Sequence, residues 1–350
     1  MLGIAALVFA QAQGPDFVLP IDRGPIFAVR ANIEGADQTF GIDTGSFKFL
    51  LKPNTADQLG KKADVQIPFL SPDPSEATLT NFPSHVRGVI GLDHFREKAI
   101  GIDSQTGQAA FWNQGQLSES QVVNWFGQKP EVVDLQDAGD GHYAIDATIN
   151  GQMIKLGLDT DCSISTIDAS VAPTQGFQIL GNSNLGGLNR KWQMQIGVAD
   201  SFSFGSQEMK SVPLAEAPAH SFGTLQGLLG YDLIQGRKAI IDFPGHKLYL
   251  GPMPTTPTGP EALDAYGIHL APYLQGHQFI AIAPGSTAKK AGLKTGDEIV
   301  SIDDQPLSPE NFSISGSTLP VDYSKFGLPK SLKVTTKASA GGTKTSALTI

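Results

Sequence analysis

The chain has 350 residues, a formal net charge of -9, 40% hydrophobic and 17% charged residues. That length and balance predict two or three domains with real cores and exclude a disordered chain. The negative charge, with no Lys/Arg run to reverse it, excludes nucleic acid as an expected partner. The single cysteine, Cys162, allows neither an intramolecular disulfide nor a cysteine-based zinc site.

Residues 1–14 open with an apolar run that ends in Ala10-Gln11-Ala12, a small-x-small pattern suited to signal cleavage. It lacks a positively charged start. It reads either as a short export signal, which would place the protein in a periplasm or outside the cell, or as an ordinary apolar terminus. It is too short to span a bilayer, and no later segment qualifies.

The main body contains a repeat. Phe27–Ser46 and Tyr143–Cys162 align at an offset of 116 residues. Each copy alternates apolar and polar residues, passes a turn (Glu34-Gly35 or Asn150-Gly151) and runs on into Asp-Thr. Asn-Gly supplies the positive φ of tight hairpins, so each copy predicts a β-hairpin that carries an Asp to a strand end. An apolar-Gly element follows each Asp: Gly88-Val89-Ile90-Gly91 and Gly227-Leu228-Leu229-Gly230. A closing strand comes next, from Lys98 to Asp103 and from Lys238 to Asp242. Duplication alone fits a structural two-lobed β-protein. A carboxylate at the same apolar-flanked position in both halves asks for more, because a lone buried charge is costly unless paired.

The segment Ile42-Asp43-Thr44-Gly45-Ser46, with Val89-Ile90-Gly91 and Leu228-Leu229-Gly230, resembles the retropepsin-like aspartic proteases. The resemblance runs from Phe17 to Leu250. It implies a mainly β fold of two lobes related by a pseudo-two-fold axis, at 15–118 and 119–250. It implies that Asp43 and Asp159 face each other, share one proton and activate a water against a peptide bond. Thr44 and Thr160 would cross-bond to the opposite lobe, and Ser46 would support Asp43. No metal or other cofactor is expected; the substrate is a polypeptide.

The second turn departs from this pattern. It reads Asp159-Thr160-Asp161-Cys162, with Asp161 where the first turn has Gly45 and Cys162 where it has Ser46. An Asp161 pointing at the pair would add a third carboxylate and raise its pKa values; one pointing outward would leave it undisturbed. The altered turn therefore keeps open an inactive, peptide-binding scaffold. Downstream, Gly181–Gly187 suggests either a flap tip over the substrate or a plain surface hairpin. The seven histidines show no metal-ligand spacing.

Residues 251–262 hold four prolines and predict a stiff linker. Beyond it, Pro284-Gly285-Ser286-Thr287-Ala288, Ala291-Gly292-Leu293 and Gly296-Asp297-Glu298-Ile299 resemble the PDZ domains of bacterial proteases, which implies an α+β domain over 263–350. Such domains take extended C-terminal peptides by strand addition. Tyr266, Gly267 and Ile268 are the candidate carboxylate loop. The domain would recruit or gate substrate, or serve only as packing.

Overall fold

Alternating apolar and polar side chains fold both copies of the repeat into antiparallel hairpins. In the computed structural model, strand Ala28–Ile33 pairs with Ala36–Asp43, and Tyr143–Ile149 with Gln152–Asp159. The structure describes residues 14–22, 26–33, 36–52, 55, 75–76, 85–172, 176–186, 191–252, 263, 265–270, 279–306, 312–313, 316–317, 331–338 and 341–349. The second hairpin turns at Asn150 and Gly151, with φ of 49° and 84°. Two positive φ values in succession are what a two-residue turn needs to match the strand twist. The corresponding Glu34-Gly35 turn lies outside the described residues, as do the N-terminal run and most of the proline-rich linker.

Each apolar-Gly element lies parallel to its Asp strand and in the same register. Asp43 is opposite Gly91, and Asp159 is opposite Gly230. The glycines are there because the turn backbone packs directly on them. A Cβ on Gly91 would stand 2.4 Å from the Phe47 carbonyl carbon, and one on Gly230 would stand 2.5 Å from the Cys162 oxygen. No side chain fits at those separations.

The two copies are joined by one sheet. Strand Ala99–Asp103 runs antiparallel to Lys238–Asp242, with Ile240 opposite Gly101. Gln108–Trp112 and Phe17–Asp22 extend this sheet on one side; Lys247–Leu250 and Glu131–Asp134 extend it on the other. The sheet therefore crosses the boundary expected near residue 118. Asp103 and Asp242, the acids that close these strands, serve turns: Asp103 accepts the Gln105 and Thr106 N–H groups, and Asp242 those of Gln116 and Leu117.

Helix Glu119–Phe126 covers the shared sheet. A reciprocal cap between Ser118 and Gln121 starts it, and Gly127 ends it in the left-handed region at φ 74°. Its Val122, with Leu117, packs on Ala99, Ala110, Trp112 and Ile240. Phe27, Phe40 and Ile42 of the first copy share one apolar core with Leu156, Leu158 and Tyr231 of the second. Burying such side chains is the main favourable term holding the copies together.

The C-terminal residues build a separate core from Leu263, Tyr266, Ile268, Ile280, Leu293, Ile299, Leu332 and Val334. Strand Ile268–Leu270 pairs with Ile280–Ile282, and Glu298–Ile302 with Ser331–Lys337, which in turn pairs with Thr343–Thr349. A four-residue helix, Thr287–Lys290, is capped by Ser286. This unit sits on the second copy: the buried Ser211 hydroxyl donates to the Ile282 carbonyl at 3.0 Å. Phe279 joins Ile164, Met194 and Ile196 in a small cluster. Among the described residues, no helix is long and apolar enough to cross a membrane.

Candidate active site

Asp43 and Asp159 stand at the ends of their strands, and the two turns that follow are braced against each other. Thr44 Oγ1 donates to the Leu158 carbonyl at 2.8 Å and accepts from the Thr160 N–H at 3.0 Å. Reciprocally, Thr160 Oγ1 donates to the Ile42 carbonyl and accepts from the Thr44 N–H at 3.3 Å. Phe27 N–H adds a bond to the Thr160 carbonyl at 3.0 Å. Both threonines are buried, so every bond in this brace works away from competing water.

The brace brings the two carboxyls together. The Gly45 N–H donates to Asp43 Oδ1 at 2.8 Å, and a Cβ on Gly45 would meet the Asp159 Cγ at 2.5 Å. The first turn thus touches both acids and has room for them only because residue 45 is glycine. Burial, then the Asp159 charge, hold Asp43 well above the usual carboxylate range, against the pull of the Gly45 and Ser46 N–H groups. Asp159 is raised by burial too. It is pulled back by the Asp161 and Cys162 N–H groups, which donate to its Oδ1 at 3.0 Å and 3.1 Å, and by His142.

Asp161 points inward. A Cβ placed on Gly41 would lie 2.8 Å from its Oδ2 and 3.0 Å from its Oδ1. Both oxygens are shielded from solvent, and neither has a hydrogen-bond partner. Burial, Asp43 and Asp159 together push this third carboxyl well above its usual range. Its neutral form is the one that fits such a place. Cys162 turns away from the pair, its Sγ donating to the Ile164 carbonyl at 2.9 Å. Burial raises this thiol well above its usual range, which leaves it a poor nucleophile.

His142 also belongs to the site, though nothing in its sequence context marks it; the equivalent position in the first copy is Ile26. Its Nε2 lies 3.2 Å from the Gly45 carbonyl, and its ring stands 4.2 Å from that of Phe47. Its Nδ1 is 3.0 Å from Asp140 Oδ1 but lacks the geometry of a hydrogen bond. Behind the second turn, Asp232 is half-buried, and desolvation pushes its carboxyl up to about 7; its Oδ1 accepts the Ser165 N–H and hydroxyl at 2.9 Å and 2.8 Å.

The glycine-rich segment expected at Gly181–Gly187 forms a long hairpin from strands Phe177–Gly186 and Lys191–Phe204; residues 187–190 lie outside the described residues. In the C-terminal unit, Tyr266 and Ile268 are buried and Gly267 holds φ 76°. A Cβ there would meet Ser286 Cβ at 2.1 Å. Among the described residues, no group of three or more His, Cys, Asp or Glu is arranged to hold a metal ion.

The family model described as aspartyl protease matches residues 145–233. The matched stretch includes the altered turn Asp159–Cys162 and the Gly227–Gly230 strand. This match supports an aspartic protease. No curated protein matches the chain. A retropepsin-like aspartic protease from Rickettsia conorii is 20% identical with a TM-score of 0.26, over 34% of this chain and 87% of that one. An aspartic proteinase from Irpex lacteus is 11% identical with a TM-score of 0.40, over 68% and 97%. Basic 7S globulin from soybean is 9% identical with a TM-score of 0.38, over 67% and 94%. At these scores the structural likenesses carry no argument of their own.

Proposed function

We propose that the chain is a single-chain aspartic endopeptidase whose two lobes each supply one acid, Asp43 and Asp159. The observation that supports this reading is the set of reciprocal threonine bonds that braces the Asp43 turn against the Asp159 turn. Burial raises both acids, and the pair shares one proton, so one acid is neutral while the other is ionised. The ionised acid takes a proton from a water, whose oxygen attacks the peptide carbonyl carbon, and the protonated acid gives its proton to the carbonyl oxygen. Collapse of the tetrahedral species passes a proton to the leaving amine and breaks the C–N bond.

Asp161 is compatible with this chemistry while it stays neutral. Three carboxyls holding two protons leave a single negative charge on the pair, which is what the mechanism needs. The C-terminal unit is proposed to be PDZ-like, taking an extended peptide C-terminus near Tyr266, Gly267 and Ile268 and presenting substrate to the lobes.

The test is cleavage of an unstructured protein across pH 3–7, with Asp43→Asn and Asp159→Asn as controls. Each substitution should lower kcat by about 10²–10⁴-fold. Cleavage that survives either change would defeat the aspartic mechanism. The unpaired Asp161 carboxyl favours one second reading, a silent peptide-binding scaffold. Peptide binding by the wild-type chain without cleavage at any pH in that range would support it.

A further inference from the structure

We propose that the C-terminal unit is an intramolecular positioning partner of the second lobe: seated through Ser211 and Phe279, it holds Ile164 and Ser165 and, through them, the Asp159 turn. The proposal rests on reading Asp43 and Asp159 as the acid pair of a protease. It gives the unit a task separate from taking a peptide. Two contacts carry it. The first is made by Ser211, which stands in the left-handed region at φ 56° inside strand Gln207–Ala217. Residues other than glycine enter that region at a cost, and they persist there where the surroundings over-determine them. Here the buried Ser211 hydroxyl reaches out of the lobe to the Ile282 carbonyl at 3.0 Å. The Ile282 N–H donates in turn to Thr295 Oγ1 at 2.9 Å, and the Thr295 carbonyl accepts from Gln178 Nε2 of the long hairpin at 3.5 Å. The second contact is Phe279, which packs against Ile164, Met194, Ile196, Ala215 and Ala217.

Both contacts lead to the second turn. Four residues beyond Ser211 on the same strand, the Ala215 N–H donates to the Ser165 carbonyl at 3.0 Å. Ile164, from the cluster under Phe279, offers its carbonyl to Cys162 Sγ at 2.9 Å. The Cys162 N–H then donates to Asp159 Oδ1 at 3.1 Å. Packing and hydrogen bonds therefore run unbroken from the C-terminal unit to the Asp159 carboxyl. Contiguous contacts of this kind are the physical means by which one unit biases the geometry of another.

The experiment reads the turn directly and through cleavage. Cys162 is the single cysteine of the chain, so its labelling by iodoacetamide reports on that turn alone. Burial raises this thiol well above its usual range, which keeps the wild-type rate low. Ser211→Ala removes the bond and Phe279→Ala the packing; each should speed labelling in native buffer by about tenfold. Each should also lower kcat on casein by about tenfold with KM little changed. Phe279→Leu keeps a large apolar side chain and should restore both readouts. Val122→Ala loosens helix Glu119–Phe126 on the shared sheet, controls for a general loss of stability, and should leave both near the wild type. Wild-type labelling and kcat in both Ser211→Ala and Phe279→Ala would overturn the proposal, as would an equal rise in labelling in Val122→Ala. A raised KM with unchanged kcat would overturn it in favour of substrate recruitment. A wild-type chain that cleaves nothing would defeat the protease reading instead, with the labelling rates still deciding whether the unit holds the turn.

Discussion

The carboxyl of Asp161 is packed against Gly41, its two oxygens 2.8 Å and 3.0 Å from where a Cβ on that glycine would be. Glycine at 41 makes the room, and no donor answers the acid. A buried, unanswered polar group of this kind costs about 1–3 kcal/mol. The second turn therefore carries a destabilising acid beside the pair it supports.

Replacing Asp161 by Gly removes that acid and should stabilise the fold by about 1 kcal/mol at pH 7, after the entropic cost of a new glycine is subtracted. The pH dependence should change as well. Asp161 has a raised folded pKa, so its cost to the folded state is least below about pH 4, where it is neutral folded or unfolded, and grows as pH rises toward the folded value. The wild-type Tm should thus fall across this range more steeply than that of Asp161→Gly. Parallel Tm–pH curves for the two would disprove the inward, protonated placement.

Residue 45 is the counterpart of 161 and should behave in the opposite way. A methyl group on Gly45 would stand 2.5 Å from both Cγ and Oδ2 of Asp159. Gly45→Ala must displace that carboxyl, and a displacement near 1 Å at a reacting group costs about 10²-fold in rate. The expected result is a folded protein by circular dichroism with cleavage reduced by about that factor. Unchanged kcat would mean that Asp159 is not placed to react.

The threonine brace should matter more for stability than surface hydrogen bonds do. Thr44→Val leaves the Leu158 carbonyl and the Thr160 N–H without their buried partner. Each orphaned group costs about 1–3 kcal/mol, so a total loss of about 2–5 kcal/mol is expected in chemical denaturation. Thr160→Val should match it, because its bonds to Ile42 and Thr44 are the mirror set. A loss below about 1 kcal/mol for both would show that the brace is not formed.

Asp232 offers a second pH effect, in a window the structure defines. Burial pushes its carboxyl to about 7, and it holds Ser165, whose hydroxyl accepts the Gly230 N–H at 2.8 Å. Because the folded value is raised, stability contributed by the neutral acid is lost as pH rises from about 4 to about 7. Asp232→Asn keeps an oxygen for both Ser165 donors and cannot ionise. Its Tm should fall less than that of the wild type between pH 5 and pH 8. Equal slopes would place the Asp232 titration outside this window.

The sequence by itself determined the local units of this protein. Period-two alternation with Asn150-Gly151 specified the second hairpin, and the same alternation recurring before Asp43 specified the first. The apolar-Gly elements pair beside those hairpins in one register because the turn backbones exclude every side chain at Gly91 and Gly230. These features rest on neighbours close in the chain or on a repeat that shows itself twice. The altered turn was legible too, but only as a choice between an inward and an outward Asp161. Tertiary structure decided that choice, because the space the carboxyl occupies belongs to Gly41, far away in sequence. It also decided the place of His142, which reaches the first turn only after the two copies pack together. The sheet shared by Ala99–Asp103 and Lys238–Asp242 was hidden for the same reason. Sequence patterns report which face of an element is buried, whereas the partner across that face is fixed by how the elements pack.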